Sequence, residues 1–318
     1  VQEILDDGYP IARKIEMLLS SDTTVGMAKS TGLGVLSFAD ALSELKPALM
    51  LLIGDRYEIF AAATAAMLTR IPIAHLHGGE VTEGAIDEAI RHSITKMSHL
   101  HFVATSEYRR RVLQLGENPQ NVFCFGGLGV DSILRLDFLS RIELERQLGF
   151  TFLNKNILVT FHPVTLEDDS ASLDHLDQLL SALDQLVDTG IIFTLPNADA
   201  CGRIFISKIK DFCARNVSAS CFASLGQLRY FSCVRYVDCV VGNSSSGLLE
   251  VPSFQKATIN IGSRQAGRLR SASVIDCLPS CESILGAINH SYTREFQEIL
   301  KSSTNPYGNG GSVVSILK

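Results

Sequence analysis

The sequence predicts an α/β protein of two doubly wound domains, each built on a parallel sheet. Three observations lead there. Short, almost continuously apolar runs alternate with stretches of helical period along the chain, the pattern of parallel strands covered by helices on both faces. The connections are short, and 318 residues leave room for about two domains. Residues able to do chemistry follow directly on apolar runs, where strand ends in such sheets form a ligand crevice.

In chain order, the apolar runs place strands at 49–53, 72–76, 101–104, 122–125, 157–161, 191–195, 218–222, 239–241 and 258–261. Helical period falls between them, at 58–69, 85–96, 173–187, 202–215 and 225–234. The polar, helical segment 137–156 has no sheet partner, so it is expected to join a domain 1–140 to a domain 141–318. The stretch 306–311 reads as loop, and 312–318 as a closing helix packing back on the first domain. The chain enters through loop and helix over 1–21. A doubly wound domain ordinarily opens with a strand, so an opening strand and its phosphate-side loop are expected to be missing.

Hydrophobic residues make up 46% and charged residues 19% of the chain, which fits a soluble enzyme core. The net charge is −6, with no long Lys/Arg block, and this argues against nucleic acid. No apolar run reaches the roughly 18 residues that span a bilayer, and no signal-peptide pattern opens the sequence. The eight cysteines form no CxxC pair. They are expected to be buried free thiols of a reducing compartment, the cytoplasm.

The densest cluster runs from His75 to His92 and gathers His75, His77, Glu80, Asp87, Glu88, Arg91 and His92 where a strand hands over to a helix. So many ionisable groups in one crevice point to proton transfer. His75 and His77 are two apart on a strand and are expected on one face; with no third ligand in view, no metal is expected. Asp87 and Arg91 share a helix face at i,i+4, as a surface ion pair or as part of the site. Upstream, Asp55 and Arg56 close the first strand, where Asp55 is either a helix cap or a group at the strand tip. Downstream, His162 follows a strand, and Pro163 holds it extended. Next, 242–247 (GNSSSG) leads from a strand into a helix. Ser244, Ser245 and free N–H groups gather there, as suits a phosphate. Glu250 lies one turn on, within reach of a ribose hydroxyl, and Arg264 offers a second anionic anchor, with Arg268 and Arg270 behind it. There is no Walker A or dinucleotide glycine motif. Gly126 to Gly129 read as a helix-entry turn.

With these motifs in order, the chain resembles the UDP-N-acetylglucosamine 2-epimerases of the hydrolysing type, the enzymes of sialic-acid and legionaminic-acid synthesis. The resemblance runs from Val1 to Lys318. It rests on GDR (54–56), HGGE (77–80), DEAIRH (87–92), PN (196–197), GNSSSG (242–247), GSRQ (262–265) and NPYGNG (305–310) together. It implies two Rossmann-like domains in the glycosyltransferase-B arrangement with a nucleotide-sugar cleft between them, and a homodimer or homotetramer. The family's first strand and its basic loop have no counterpart here. Many members carry a catalytic Glu where this chain has His77, so either His77 or Glu80 takes that role.

The resemblance further implies a UDP-N-acetylglucosamine or UDP-2,4-diacetamido-2,4,6-trideoxy sugar substrate, eliminated to a glycal and then hydrated. Asp55, Glu80, Asp87, His77 and His162 would do the catalysis. Arg56, Arg91, His92, Asn197, Ser244, Ser245, Glu250 and Arg264 would hold substrate and UDP. No cofactor or metal is implied, since no net oxidation occurs. Three alternatives stand beside this: a non-hydrolysing epimerase, a serine hydrolase using Ser244 or Ser245, and a nucleotide-sugar-binding protein without turnover.

Overall fold

The computed structural model describes residues 2–19, 23–83, 86–164, 169–196 and 202–318. It divides into two compact units, one of Val1–Glu80 with Ile86–Phe125 and one of Val81–Ala85 with Gly126–Lys318.

The first unit comprises α1 (Gln2–Asp6), α2 (Thr24–Leu45), β1 (Met50–Ile53), α3 (Tyr57–Leu68), β2 (Ile73–Leu76), α4 (Asp87–Met97), β3 (Leu100–Val103), α5 (Ser106–Gln114) and β4 (Val122–Cys124). Its strands run parallel in the order β1-β2-β3-β4. The long helix α2 was not legible as such in the sequence. It starts because the Thr23 hydroxyl accepts from the Gly26 N–H at 3.0 Å, satisfying one of the orphan donors of a helix start. On α3, Ala62, Ala63, Ala65 and Ala66 bury against Leu42, Leu52 and Ile73. Their small side chains let the helix lie close to its neighbours. Phe102 of β3, Phe123 of β4 and Phe125 just past β4 stack at 5.5–6.2 Å.

The second unit comprises α6 (Leu128–Arg135), α7 (Arg141–Leu148), β5 (Lys155–Thr160), α8 (Asp169–Leu183), β6 (Thr189–Thr194), α9 (Gly202–Arg215), β7 (Ala219–Phe222), α10 (Gly226–Tyr236), β8 (Cys239–Gly242), α11 (Ser246–Leu249), β9 (Ala257–Ile261), β10 (Val274–Cys277), α12 (Cys281–Ser291), α13 (Arg294–Ser302) and α14 (Ser312–Ile316). All six strands are parallel, in the order β10-β9-β8-β5-β6-β7. Alternate residues feed two cores. Ile157, Val159, Ile191, Phe193, Cys239 and Val241 face α8, α9 and α12. Leu158, Ile192 and Val240 face α7 and α10. Burial on both faces explains the unbroken apolar runs. The strand order turns back between β5 and β8, the switch point where open sheets of this kind bind ligands at the strand carboxyl ends.

Two expectations about organisation change. The segment 137–156 is not a junction. Its helix α7, opened by a capping box of Ser140 and Glu143, buries Leu144 and Leu148 beside Phe150 and Phe152 in the second unit's core. The boundary falls at Phe125–Gly126 instead of near 140. The tail accordingly packs within the second unit, where the Asp131 carboxylate of α6 accepts from the N–H groups of Gly311 and Val313, the latter at 2.9 Å.

Among the described residues, no helix is long and apolar enough to cross a membrane. Seven cysteines are described, and all are free. Cys124 is exposed instead of buried. Burial pushes the thiols of Cys233 and Cys239 up to about 12, so they stay protonated and inert.

Candidate functional site

In the first unit, the site begins where β1 ends. Gly54 takes φ +93°, a conformation open to glycine, and turns the chain into α3. The residue at the helix cap is Arg56, not Asp55, and it makes no side-chain cap. Asp55 instead forms an ion pair with Arg91. Arg91 is 1% exposed and also donates to the Glu80 carbonyl at 2.9 Å and to Glu88 Oε2 at 3.1 Å. These bonds change the reading of Arg91. Its guanidinium is a buried strut joining the 54–56 turn, the segment after β2 and helix α4. Arg56 turns to Glu58, with Nε 3.3 Å from Oε2.

Only His75 of the two histidines lies on β2, so the strand alternation that would put them on one face does not apply. His75 is fully buried, with Nε2 3.2 Å from the Gly54 carbonyl and Nδ1 3.2 Å from Thr95 Oγ1. Burial pushes its pKa down to about 4, so it is a neutral structural imidazole. His77 lies past the strand end with φ +65°, and alternation stops there. Its Nδ1 lies 2.7 Å from Oε1 of the buried Glu80. Glycines clear the space for this turn: a Cβ on Gly79 would stand 2.4 Å from the Tyr108 carbonyl. Asp87 opens α4, half-buried, where the helix dipole favours a carboxylate. His92 faces Glu88, at 3.2 Å. Among the described residues, no group of three or more His, Cys, Asp or Glu is placed to hold a metal ion.

In the second unit, the switch point carries a cavity of about 470 Å³. Thr160, His162, Ser244, Ser245, Ser246 and Glu250 line it, with Tyr230, Leu225 and Gly226 on the α10 side. Helix α11 is a single turn followed by a 3₁₀ turn at Val251–Phe254. Its dipole is therefore small, and the polar groups the pocket offers are hydroxyls, an imidazole and a carboxylate. Glu250 fits because Gly129 has no side chain; a Cβ there would lie 2.6 Å from Oε1. Arg264 is half-buried and donates through Nη1 to the Asn243 carbonyl at 3.0 Å. Arg268 is buried and donates to Thr82 at 3.0 Å, while Arg270 pairs with Asp276 at the surface. Asn197 lies outside the described residues.

Sequence reasoning missed Tyr230, whose hydroxyl donates to Ser246 Oγ at 3.0 Å. Burial pushes this phenol up to about 12, which keeps it a donor. It also missed Thr160 and Thr194, whose hydroxyls pair at 2.7 Å on the pocket wall. Each sits in a run that reads as core. Nothing in the residue types alone separates a pocket wall from packing.

The fold and these groups define a class: a doubly wound α/β protein with an acid–base cluster in one unit and a hydroxyl-rich pocket at the switch point of the other. The chain belongs to the UDP-N-acetylglucosamine 2-epimerase family, whose model matches residues 1–318. It is 41% identical over 273 residues to the GDP/UDP-N,N'-diacetylbacillosamine 2-epimerase (hydrolyzing) of Campylobacter jejuni, covering 86% of this chain and 71% of that one. It is 40% identical over 316 residues to the polysialic acid biosynthesis protein P7 of Escherichia coli, covering 99% and 80%. Its fold matches the UDP-GlcNAc-bound crystal structure of the UDP-GlcNAc 2-epimerase from Neisseria meningitidis with a TM-score of 0.82 at 17% identity, covering 99% and 88%.

Proposed function

We propose that this chain is a hydrolysing 2-epimerase that takes a UDP-activated 2,4-diacetamido-2,4,6-trideoxy sugar, or UDP-N-acetylglucosamine, and releases UDP and the free 2-epimeric amino sugar. The observation that carries this reading is the pocket at the switch point. It offers hydroxyls and an imidazole to a diphosphate and the Glu250 carboxylate to a ribose diol, in a chain whose other unit holds an acid–base cluster. The relative from Campylobacter jejuni, named as hydrolysing and as acting on diacetylbacillosamine, favours water over returned UDP and the diacetamido sugar over the simpler one.

The chemistry needs proton transfer and stabilisation of a leaving diphosphate. A C2–H bond is weakly acidic, so its cleavage is coupled to departure of UDP. A carboxylate takes the C2 proton, the C1–O bond breaks with its electrons leaving on UDP, and a glycal forms. Water then adds its oxygen to C1, and C2 gains a proton from the opposite face. Two proton-transfer groups on different faces are needed. Asp55, the His77–Glu80 pair and Asp87 are the candidates. Donors aimed at the leaving diphosphate supply the rest. His162, Ser244 and Ser245 take that part, with Arg264 behind them and Asn197 assigned to the substrate. Arg56 and His92 are assigned to substrate more weakly, since both face Glu side chains.

The reaction is tested by incubating the protein with each candidate sugar nucleotide in D2O. UDP release with one deuterium at C2 of a free, inverted sugar is expected. A UDP-linked epimer at equilibrium would make it a non-hydrolysing epimerase, and binding without UDP release a binding protein. The same reading includes a homodimer or homotetramer working in the cytoplasm on a route to sialic- or legionaminic-type acids. Light scattering on the purified protein tests the assembly.

A further inference from the structure

At the switch point, the tips of β5 and β8 are joined past the last sheet rung by a side chain. Asn243 Oδ1 accepts from the His162 N–H at 2.8 Å, and Asn243 Nδ2 donates to the His162 carbonyl at 2.8 Å. The Asn243 N–H donates to the Thr160 carbonyl at 3.2 Å. Its own carbonyl accepts from Arg264 Nη1 at 3.0 Å and Gln265 Nε2 at 2.8 Å. Asn243 and Gln265 are each 1% exposed.

The arrangement answers a backbone problem. Strand β8 cannot continue, because Gly242 takes φ +144° and lies so close to β5 that a Cβ would be 1.9 Å from the Thr160 carbonyl. His162 is left with one donor and one acceptor at the strand end, both buried and needing partners. A side-chain amide presents one of each in a plane, as a peptide does. A carboxylate presents acceptors alone, and an alkyl group neither.

We infer that Asn243 is a positioning residue for His162: its amide substitutes for the missing sheet rung and fixes the imidazole on the pocket wall. It deepens the proposed function and rests on it for the role of His162. The direct contact of Asn243 is to the His162 backbone, so its effect on turnover passes through that histidine.

The test is a double-mutant cycle on UDP release, using Asn243→Asp, Asn243→Ser, His162→Ala and the combinations, with urea midpoints measured alongside. Misplacing a catalytic group by about 1 Å costs on the order of 10²-fold, and a loss of that size in kcat is expected for either Asn243 variant. In the His162→Ala background the same substitution should change kcat by less than about threefold. Losses that multiply would overturn the inference, as would a near-normal rate in both Asn243 variants. A second readout needs no turnover. The His162 imidazole NMR signal, assigned by its loss in His162→Ala, should shift or broaden in the Asn243 variants while the other histidines stay in place. An unmoved His162 signal overturns the inference. A moved signal in a protein whose wild type releases no UDP would instead sink the functional reading and leave the positioning role intact. Should Asn243→Ser fail to fold, Asn243→Asp, of equal size, carries both measurements.

Discussion

The His77 imidazole and the Glu80 carboxylate form one unit: Nδ1 and Oε1 are 2.7 Å apart, and the Glu80 side chain is 4% exposed. His77 holds this contact from the left-handed region, at φ +65°. Such a conformation costs a non-glycine residue about 1–2 kcal/mol, and strain of this kind gathers at functional sites. The sequence left open which of the two carries the catalytic role. The geometry joins the two side chains, and the proposed role is therefore tested on the pair.

Residues acting as a unit lose activity non-additively. Glu80→Gln and His77→Phe are each expected to cut turnover by about 10²–10⁴-fold, and the double variant by little more than the worse single. Steady-state UDP release by the three proteins checks this. If the double loss equals the product of the two single losses, the pair does not act as one.

Asp55 and Asp87 are both proton-transfer candidates, and stability should tell them apart. Asp55 shares the buried Arg91 with Glu88, and removing one partner of a buried pair costs about 3–5 kcal/mol. Asp55 is itself 22% exposed in its side chain, so the low end applies. Asp55→Asn is expected to lower the urea midpoint clearly. Asp87→Asn should leave that midpoint and UDP affinity near wild type, yet reduce turnover by about 10²–10⁴-fold. Full turnover in Asp87→Asn would remove it from the mechanism.

Acid should weaken the fold through His75. Burial holds its folded pKa near 4, against 6.5 for an unperturbed imidazole. Between those values the unfolded chain binds the extra proton, so stability rises with pH. The contribution is complete above about pH 6.5 and is lost as pH falls toward 4; it is on the order of 3 kcal/mol. Burial lowers His101 in the same direction. Urea unfolding of wild type and His75→Gln across this range checks the assignment. Identical pH dependence in the two would exclude His75 as the main source.

Strands β2, β5, β6, β8 and β9 were legible because they are buried on both faces and so apolar along their length, and β1 because it is apolar throughout although Leu51 and Ile53 are exposed. Strand β10 was not: it is an edge strand, its residues are partly exposed, and Asp276 interrupts the apolar pattern. Helix α2 hid behind a run of Ser, Thr and Gly with little contrast between faces. At the site, the cluster 75–92 was readable from composition, but its pairing was not. Helical spacing offers Arg91 either Asp87 or Glu88. Tertiary folding adds Asp55, 36 positions away. Tyr230 and Asn243 owe their roles to the turn at the β5–β8 switch point, which strand order creates and no local pattern encodes.

UDP should bind through the second unit, and Arg264 tests this. Its guanidinium is half-buried and anchored to the Asn243 carbonyl, next to the serines that line the pocket. Truncating it removes a positive charge beside the expected diphosphate and one support of that loop. Truncation of a buried charged partner costs about 2–5 kcal/mol. Partial exposure puts Arg264→Ala near 2 kcal/mol, a rise in the UDP dissociation constant of about 30-fold. Arg270→Ala is the control. That guanidinium is exposed and paired with Asp276 at 2.9 Å, so an unchanged constant is expected. Calorimetry with UDP on both variants decides. Equal affinity of Arg264→Ala and wild type would place the diphosphate elsewhere. Equal weakening in both variants would mean that long-range charge, not this loop, draws the nucleotide in; raising the salt separates that case, because long-range attraction is screened within about 10 Å at 0.1 M.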